Sequence, residues 1–166
     1  MLKEVSVSTA LCLCACEPTQ QGYAPTQPIA YSHAVHAGAN QIPCLYCHDA
    51  ALYSRHAGIP SASTCMNCHK HVATEHPEVQ KVKAALAANT PIVWTQVHFL
   101  PDHVYFNHSI HVRGGLRCQE CHGPVESMGV MEQWAPLTMG WCLDCHRHQE
   151  SEETRVQLQD CAVCHH

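Results

Sequence analysis

Apolar positions recur with helical spacing most clearly in one stretch. Val79, Val82 and Leu86 lie three and four residues apart between Pro77 and Ala87, with the proline at the start and Asn89 just past the end. That pattern predicts one short helix. The remaining segments are short and interrupted by Pro and Gly, with few apolar and polar alternations, so strands should be scarce. No run approaches the roughly 18–20 consecutive apolar residues of a membrane-spanning helix. The expected fold is mostly irregular, with short α-helices and little strand.

Composition adds a puzzle about the core. The chain has 166 residues, 46% hydrophobic and 14% charged, which is globular but poor in charge. It contains 13 cysteines and 16 histidines against two phenylalanines and three tryptophans. Something other than aromatic packing must fill the interior. A net charge of -5 with nine basic residues and no basic run lacks the footprint of a nucleic-acid binder, so no nucleic-acid partner is expected.

Cysteine spacing supplies the chemistry. Ten cysteines form five C-x-x-C pairs, each followed at once by histidine: Cys44, Cys47 and His48; Cys65, Cys68 and His69; Cys118, Cys121 and His122; Cys142, Cys145 and His146; Cys161, Cys164 and His165. In c-type haem attachment two thiols add to the two vinyl groups of one porphyrin, and the next residue's imidazole reaches the iron. Structural zinc ribbons combine C-x-x-C pairs two by two, which suits neither an odd number of pairs nor an invariant following histidine. A disulfide scaffold explains the histidines no better, and a thioredoxin-like protein carries one redox pair rather than five. The reading is five covalently attached haem c groups, motifs 1 to 5 in chain order, with no catalytic residues.

Eleven histidines remain for five distal positions. His33 and His36 precede Cys44, and His108 and His111 precede Cys118, so an H-x-x-H element followed by C-x-x-C-H repeats at a distance of 75 residues. Imidazoles three apart on a helical turn share a face but diverge too far to meet one iron from the same side. His36 and His111 are expected to cap the haem attached just downstream, and His33 and His108 to reach the next haem in space. His56 is the fifth distal candidate. His98 leads into the second repeat as a ligand or as a hydrogen-bond partner of a propionate; His71, His76, His103, His148 and His166 have weaker claims. Met128 and Met139 offer thioethers, with packing against a porphyrin face the plainer role.

Motif starts at 44, 65, 118, 142 and 161 leave gaps of 21, 53, 24 and 19 residues. This suggests an N-terminal module over 31–97 with two haems and the short helix, and a C-terminal module over 98–166 with three. Roughly 33 residues per haem cannot enclose five porphyrins in separate cores, so the haems themselves form the core, with thioether and axial bonds offsetting chain entropy.

Residues 1–16 carry Lys3 and a modestly apolar stretch resembling a secretion signal, and LCAC at 13–16 resembles a bacterial lipobox in which Cys16 becomes lipidated. Residues 17–30, rich in Pro, Gln and Thr, read as a flexible tether. The expected location is the periplasmic side of the cytoplasmic membrane or the cell envelope, lipid-anchored, where covalent haem attachment in bacteria takes place.

Three stretches carry a family resemblance: SRHAGIPS at 54–61 before motif 2, VYFNHSIH at 104–111, and MGWCLDCHR at 139–147. They resemble the pentahaem cytochrome subunit of alternative complex III and the related multihaem cytochrome subunit of menaquinone reductase complexes. The H-x-x-H plus C-x-x-C-H core is shared with class III cytochromes c. The resemblance spans roughly residues 28–166 and implies a multihaem cytochrome c fold that relays electrons within a membrane quinol-oxidising complex. It implies as partners an iron–sulfur, molybdopterin-oxidoreductase-like subunit and a quinone-binding membrane subunit, with a monohaem cytochrome c or an oxidase as acceptor. Subunits of alternative complex III usually carry a spanning helix where this chain has its lipobox-like segment. The alternatives are a free-standing periplasmic shuttle or filament cytochrome, and a multihaem reductase, which needs an iron with an open position.

Overall fold

The computed structural model describes residues 19–148 and 151–165; the lipobox-like segment and Cys16, and His166, lie outside the described residues. Eight short α-helices follow one another: α1 (Cys44–Cys47), α2 (Ala62–His69), α3 (Pro77–Ala87), α4 (His108–Arg113), α5 (Gln119–His122), α6 (Met139–Arg147), α7 (Glu152–Leu158) and α8 (Cys161–Cys164). A π-helical turn occupies Ala34–Ala39, and 3-10 turns occupy Asp49–Leu52 and Val125–Ser127. Among the described residues there is no strand, and no helix is long and apolar enough to cross a membrane.

The predicted helix is α3. Pro77 sits in its first turn, the His76 ring accepts from the Glu78 N–H at 3.3 Å, and Val79 and Val82 are buried where α3 packs on α2. The other helices are too short for an apolar stripe, and side-chain caps define the starts of four of them. Asn107, Thr138, Ser151 and Asp160 each accept a backbone N–H in the first turn of α4, α6, α7 and α8. Motifs 4 and 5 lie on or at the ends of the capped helices α6 and α8, whereas motifs 1, 2 and 3 lie on or at the ends of α1, α2 and α5, whose first turns have no side-chain cap.

Burial is sparse. Ile29, Ala51, Val79, Val82, Met128 and Ala135 are the buried apolar side chains among the described residues, far fewer than a chain of this length would gather around a conventional core. The early and late parts of the chain interleave instead. The π-turn packs against Val125–Ser127, with the Ala34 N–H donating to Met128 O at 2.9 Å and Gly38 so close to the Glu126 carbonyl that a Cβ has no room. The N-terminal end of α4 lies on the segment after Asp49–Leu52, where Arg55 O and Ser54 O accept from the His108 and Ser109 N–H groups.

Residues 19–30, expected as a flexible tether, are laid against the body by specific bonds. The Gly22 N–H donates to Gln133 O at 2.7 Å and the Gln133 N–H to Tyr23 O at 3.0 Å, while Gln27 exchanges two bonds of 2.9 Å with the Thr95 backbone. The Ala30 N–H donates to the Glu78 carboxylate at 2.8 Å. Composition suggested a tether because it registers Pro, Gln and Thr but not the partners that bind their polar groups.

Candidate haem-attachment sites

The five motifs form a spatial series that differs from their order in sequence. Burial pushes the Cys47 thiol up, and the Cys65 sulfur of motif 2 beside it adds to the shift. Burial does the same to Cys118, where Cys44 of motif 1 lies within hydrogen-bonding reach; to Cys121, with Cys145 nearby; and to Cys142, with Cys164 nearby. Direct contacts agree. The Asn67 amide of motif 2 donates to the Tyr46 hydroxyl of motif 1 at 3.1 Å, and a cavity of about 430 Å³ is lined by Cys47 and Asn67 together. A second cavity of about 150 Å³ is lined by Cys121 and Cys145. Motifs thus neighbour one another as 2, 1, 3, 4, 5.

Each motif histidine is tied down through its Nδ1. His48 donates to Gly58 O at 2.7 Å, His69 to Val72 O at 3.0 Å, His146 to Leu158 O at 3.0 Å and His165 to His103 O at 3.0 Å. His122 Nδ1 lies 3.1 Å from His98 Nε2. With Nδ1 engaged, each ring presents Nε2 as its free nitrogen, the arrangement in which an outer partner fixes tautomer and orientation of a metal ligand.

Opposite three motif histidines stands a second imidazole. Ring centres are 6.0 Å apart for His36 and His69, 6.3 Å for His108 and His122, and 6.2 Å for His111 and His146, the last two near-parallel at 4° and 21°. Two metal–imidazole bonds of about 2 Å, plus the step from each nitrogen to its ring centre, span about this distance. Haem iron therefore fits between each pair. His33 lies beside His48 and is held at about 4 by burial, with His48 and His36 adding; its buried Nδ1 has no partner in the polypeptide, as expected of a group that awaits one from outside it. Burial, with His98, His108, His48 and His33 adding, likewise holds His122 at about 4, so both rings are neutral as ligation requires. Among the described residues no three His, Cys, Asp or Glu side chains converge as a zinc site would need; the imidazoles meet in pairs.

The geometry reverses the expected pairing. His36 faces the motif 2 histidine and His111 the motif 4 histidine, while His33 and His108 lie by the motifs just downstream of them. The cause is a chain reversal directly after the second histidine of each repeat. Gln41 (φ 52) and Gly115 (φ 89) adopt left-handed backbone, and the Ile42 and Leu116 N–H groups return to His36 O and His111 O. The downstream motif is thereby carried back toward the first histidine.

Two aromatic residues escaped the sequence reading. Tyr31 stands edge-on to His33 at 4.9 Å and stacks on His36 at 4.3 Å; Phe106 repeats this with His108 at 4.8 Å and His111 at 4.4 Å. The signal was available as an aromatic two residues before each H-x-x-H. Other expected residues fall elsewhere. His56 is exposed, and its ring is set against no motif histidine among the described residues. His103 stacks on His165 at 5.4 Å. His76 caps α3, His148 Nδ1 donates to Asp144 O at 2.6 Å, Met128 is buried beneath the π-turn, and Met139 is exposed at the start of α6.

Residues 104–166 match the family described as cytochrome c7 and related cytochrome c. The chain is also 26% identical, over 84% of its own length and 76% of the relative's, to the menaquinone reductase multihaem cytochrome c subunit of Nitratidesulfovibrio vulgaris. With its helical, irregular architecture and paired imidazoles, the chain thus carries a cytochrome c7-like domain over residues 104–166 and is a multihaem electron-transfer cytochrome c.

Proposed function

We propose that this chain is a pentahaem c-type cytochrome whose attachment motifs, held in the spatial order 2, 1, 3, 4, 5, provide an electron path through one small protein. The observation that carries the reading is the set of opposed imidazoles about 6 Å apart at motifs 2, 3 and 4, each motif histidine having its Nδ1 bonded away from the opposing ring. Cys44 and Cys47, Cys65 and Cys68, Cys118 and Cys121, Cys142 and Cys145, and Cys161 and Cys164 form the thioethers. His48, His69, His122, His146 and His165 are the proximal ligands. His33, His36, His108 and His111 are the distal ligands at motifs 1, 2, 3 and 4.

His56 completes the set at motif 5. Its neighbour Arg55 lies 5.0 Å over the Tyr105 ring, and the Tyr105 N–H donates to Cys164 O, so the His56 backbone is one residue from a chain of contacts ending in that motif. Haem c, when bound, supplies an iron that changes oxidation state by one electron. The five motif histidines, each held through its Nδ1 partner, and the five distal histidines would together ligate the irons, leaving no position for substrate. Ligand rearrangement on oxidation or reduction is thereby kept small.

The relative's name supports a place in a menaquinone-reactive complex. The partners are those the family resemblance implies: an iron–sulfur, molybdopterin-oxidoreductase-like subunit and a quinone-binding membrane subunit, with a monohaem cytochrome c or an oxidase as acceptor. In this reading the chain sits on the periplasmic side of the membrane, lipidated at Cys16. Isolation of the native chain from detergent-solubilised membranes tests this. Co-purification with such subunits and no binding of cyanide are expected; recovery of the chain alone and unlipidated would favour a soluble shuttle, and rapid cyanide binding a reductase.

A further inference from the structure

His122 differs from the other four motif histidines. Their Nδ1 groups donate to main-chain carbonyls, whereas its Nδ1 meets the side chain of His98, with rings 4.5 Å apart at 86°. His108 lies 6.3 Å from the same ring and near-parallel to it, and because Nδ1 and Nε2 of one imidazole point in different directions, His98 on Nδ1 stands away from the iron position assigned above to Nε2. The chain holds His98 from both sides. The Gln96 side chain donates to His98 O at 2.8 Å, and the Phe99 N–H donates to the Gln133 side-chain oxygen at 3.0 Å. Gln133 is the one fully buried large side chain among the described residues, and its amide is spent on Phe99 and on Ala135 O.

We propose that His98 is neither an axial ligand nor a propionate partner but the positioning residue of motif 3, its Nε2 accepting the His122 Nδ1–H. This rests on the assignment of His122 as an iron ligand. An outer acceptor raises the basicity of the ligand it holds and so favours the oxidised metal. A second imidazole does this at one motif only, the middle of the spatial series, and sets the potential there below the value a ring without that acceptor would give.

The test is redox titration of the full-length, haem-loaded protein with low-temperature EPR, comparing wild type, His98→Phe, which keeps a ring but no acceptor, and His98→Gln, which restores an acceptor. One midpoint potential should move positive in His98→Phe and return toward wild type in His98→Gln, with haem content and low-spin signals unchanged. Unaltered potentials in His98→Phe would overturn the proposal, as would appearance of a high-spin iron, which would make His98 a ligand. If His98→Phe does not accumulate, His98→Leu, which also lacks an acceptor, takes its place: one midpoint potential moved positive is required of it, and unaltered potentials or a high-spin signal refute the role. A Cys118 and Cys121 peptide lacking haem in the wild type would instead sink the underlying assignment.

Discussion

Tyr31 lies face to face with His36, ring centres 4.3 Å apart and planes inclined by 23°. Because the same ring meets His33 edge-on, one aromatic side chain fixes the rotamers of two histidines that diverge from one helical turn toward different motifs. Phe106 does the same in the second repeat. Burial, with Cys47 and Cys65 adding, pushes the Tyr31 hydroxyl to about 12, which places the ring between motifs 1 and 2.

Replacing either wedge should therefore disturb two sites at once. Tyr31→Ala and Phe106→Ala are each expected to lose about 1–3 kcal/mol, two ring contacts of about 0.5–1.5 kcal/mol apiece. Tyr31→Phe should be nearly neutral. Thermal denaturation of the holoprotein measures the loss, and EPR should show two broadened low-spin signals rather than one.

The pairing of His36 with motif 2 can be tested by a double-mutant cycle. His36→Ala should leave one iron without its sixth protein ligand and produce a high-spin signal. In a variant already lacking haem at motif 2 through Cys65→Ser and Cys68→Ser, the further change His36→Ala should add no high-spin signal. Magnetic circular dichroism reads both; a new high-spin centre in the combined variant would assign His36 to another motif.

How much of this was legible in the sequence depends on the range over which each feature is determined. The attachment motifs and the helix at 77–87 are written in contiguous spacing, and both could be read directly. The direction of distal pairing was not, since it turns on left-handed backbone at Gln41, a residue type with no strong preference for that region. Nor was the ordered course of residues 19–30, which depends on Gln133 more than a hundred positions away. His98 showed two possible roles in sequence, and only its position behind His122 separates them.

Gly123 follows motif 3 with φ 71 and ψ -162, a backbone conformation essentially reserved for glycine, and a Cβ there would collide with the Trp134 ring. Gly123→Ala should destabilise the protein by about 2–5 kcal/mol, combining backbone strain with overpacking. Chemical denaturation of the haem-loaded protein checks this; a loss below about 0.5 kcal/mol would mean that the chain after His122 takes another course.

At motif 5 two histidines compete. His56→Ala is expected to convert one iron to high spin, whereas His103→Ala should leave every iron low-spin, because the His103 carbonyl rather than its ring holds His165 Nδ1. The opposite outcome would transfer the distal role to His103.

The most direct test of the whole account is the intact mass of the mature chain, with peptide mapping of its cysteines. It should show five covalently added haems, one at each C-x-x-C pair, and no zinc. Fewer adducts, or unmodified thiols in any one pair, would contradict it.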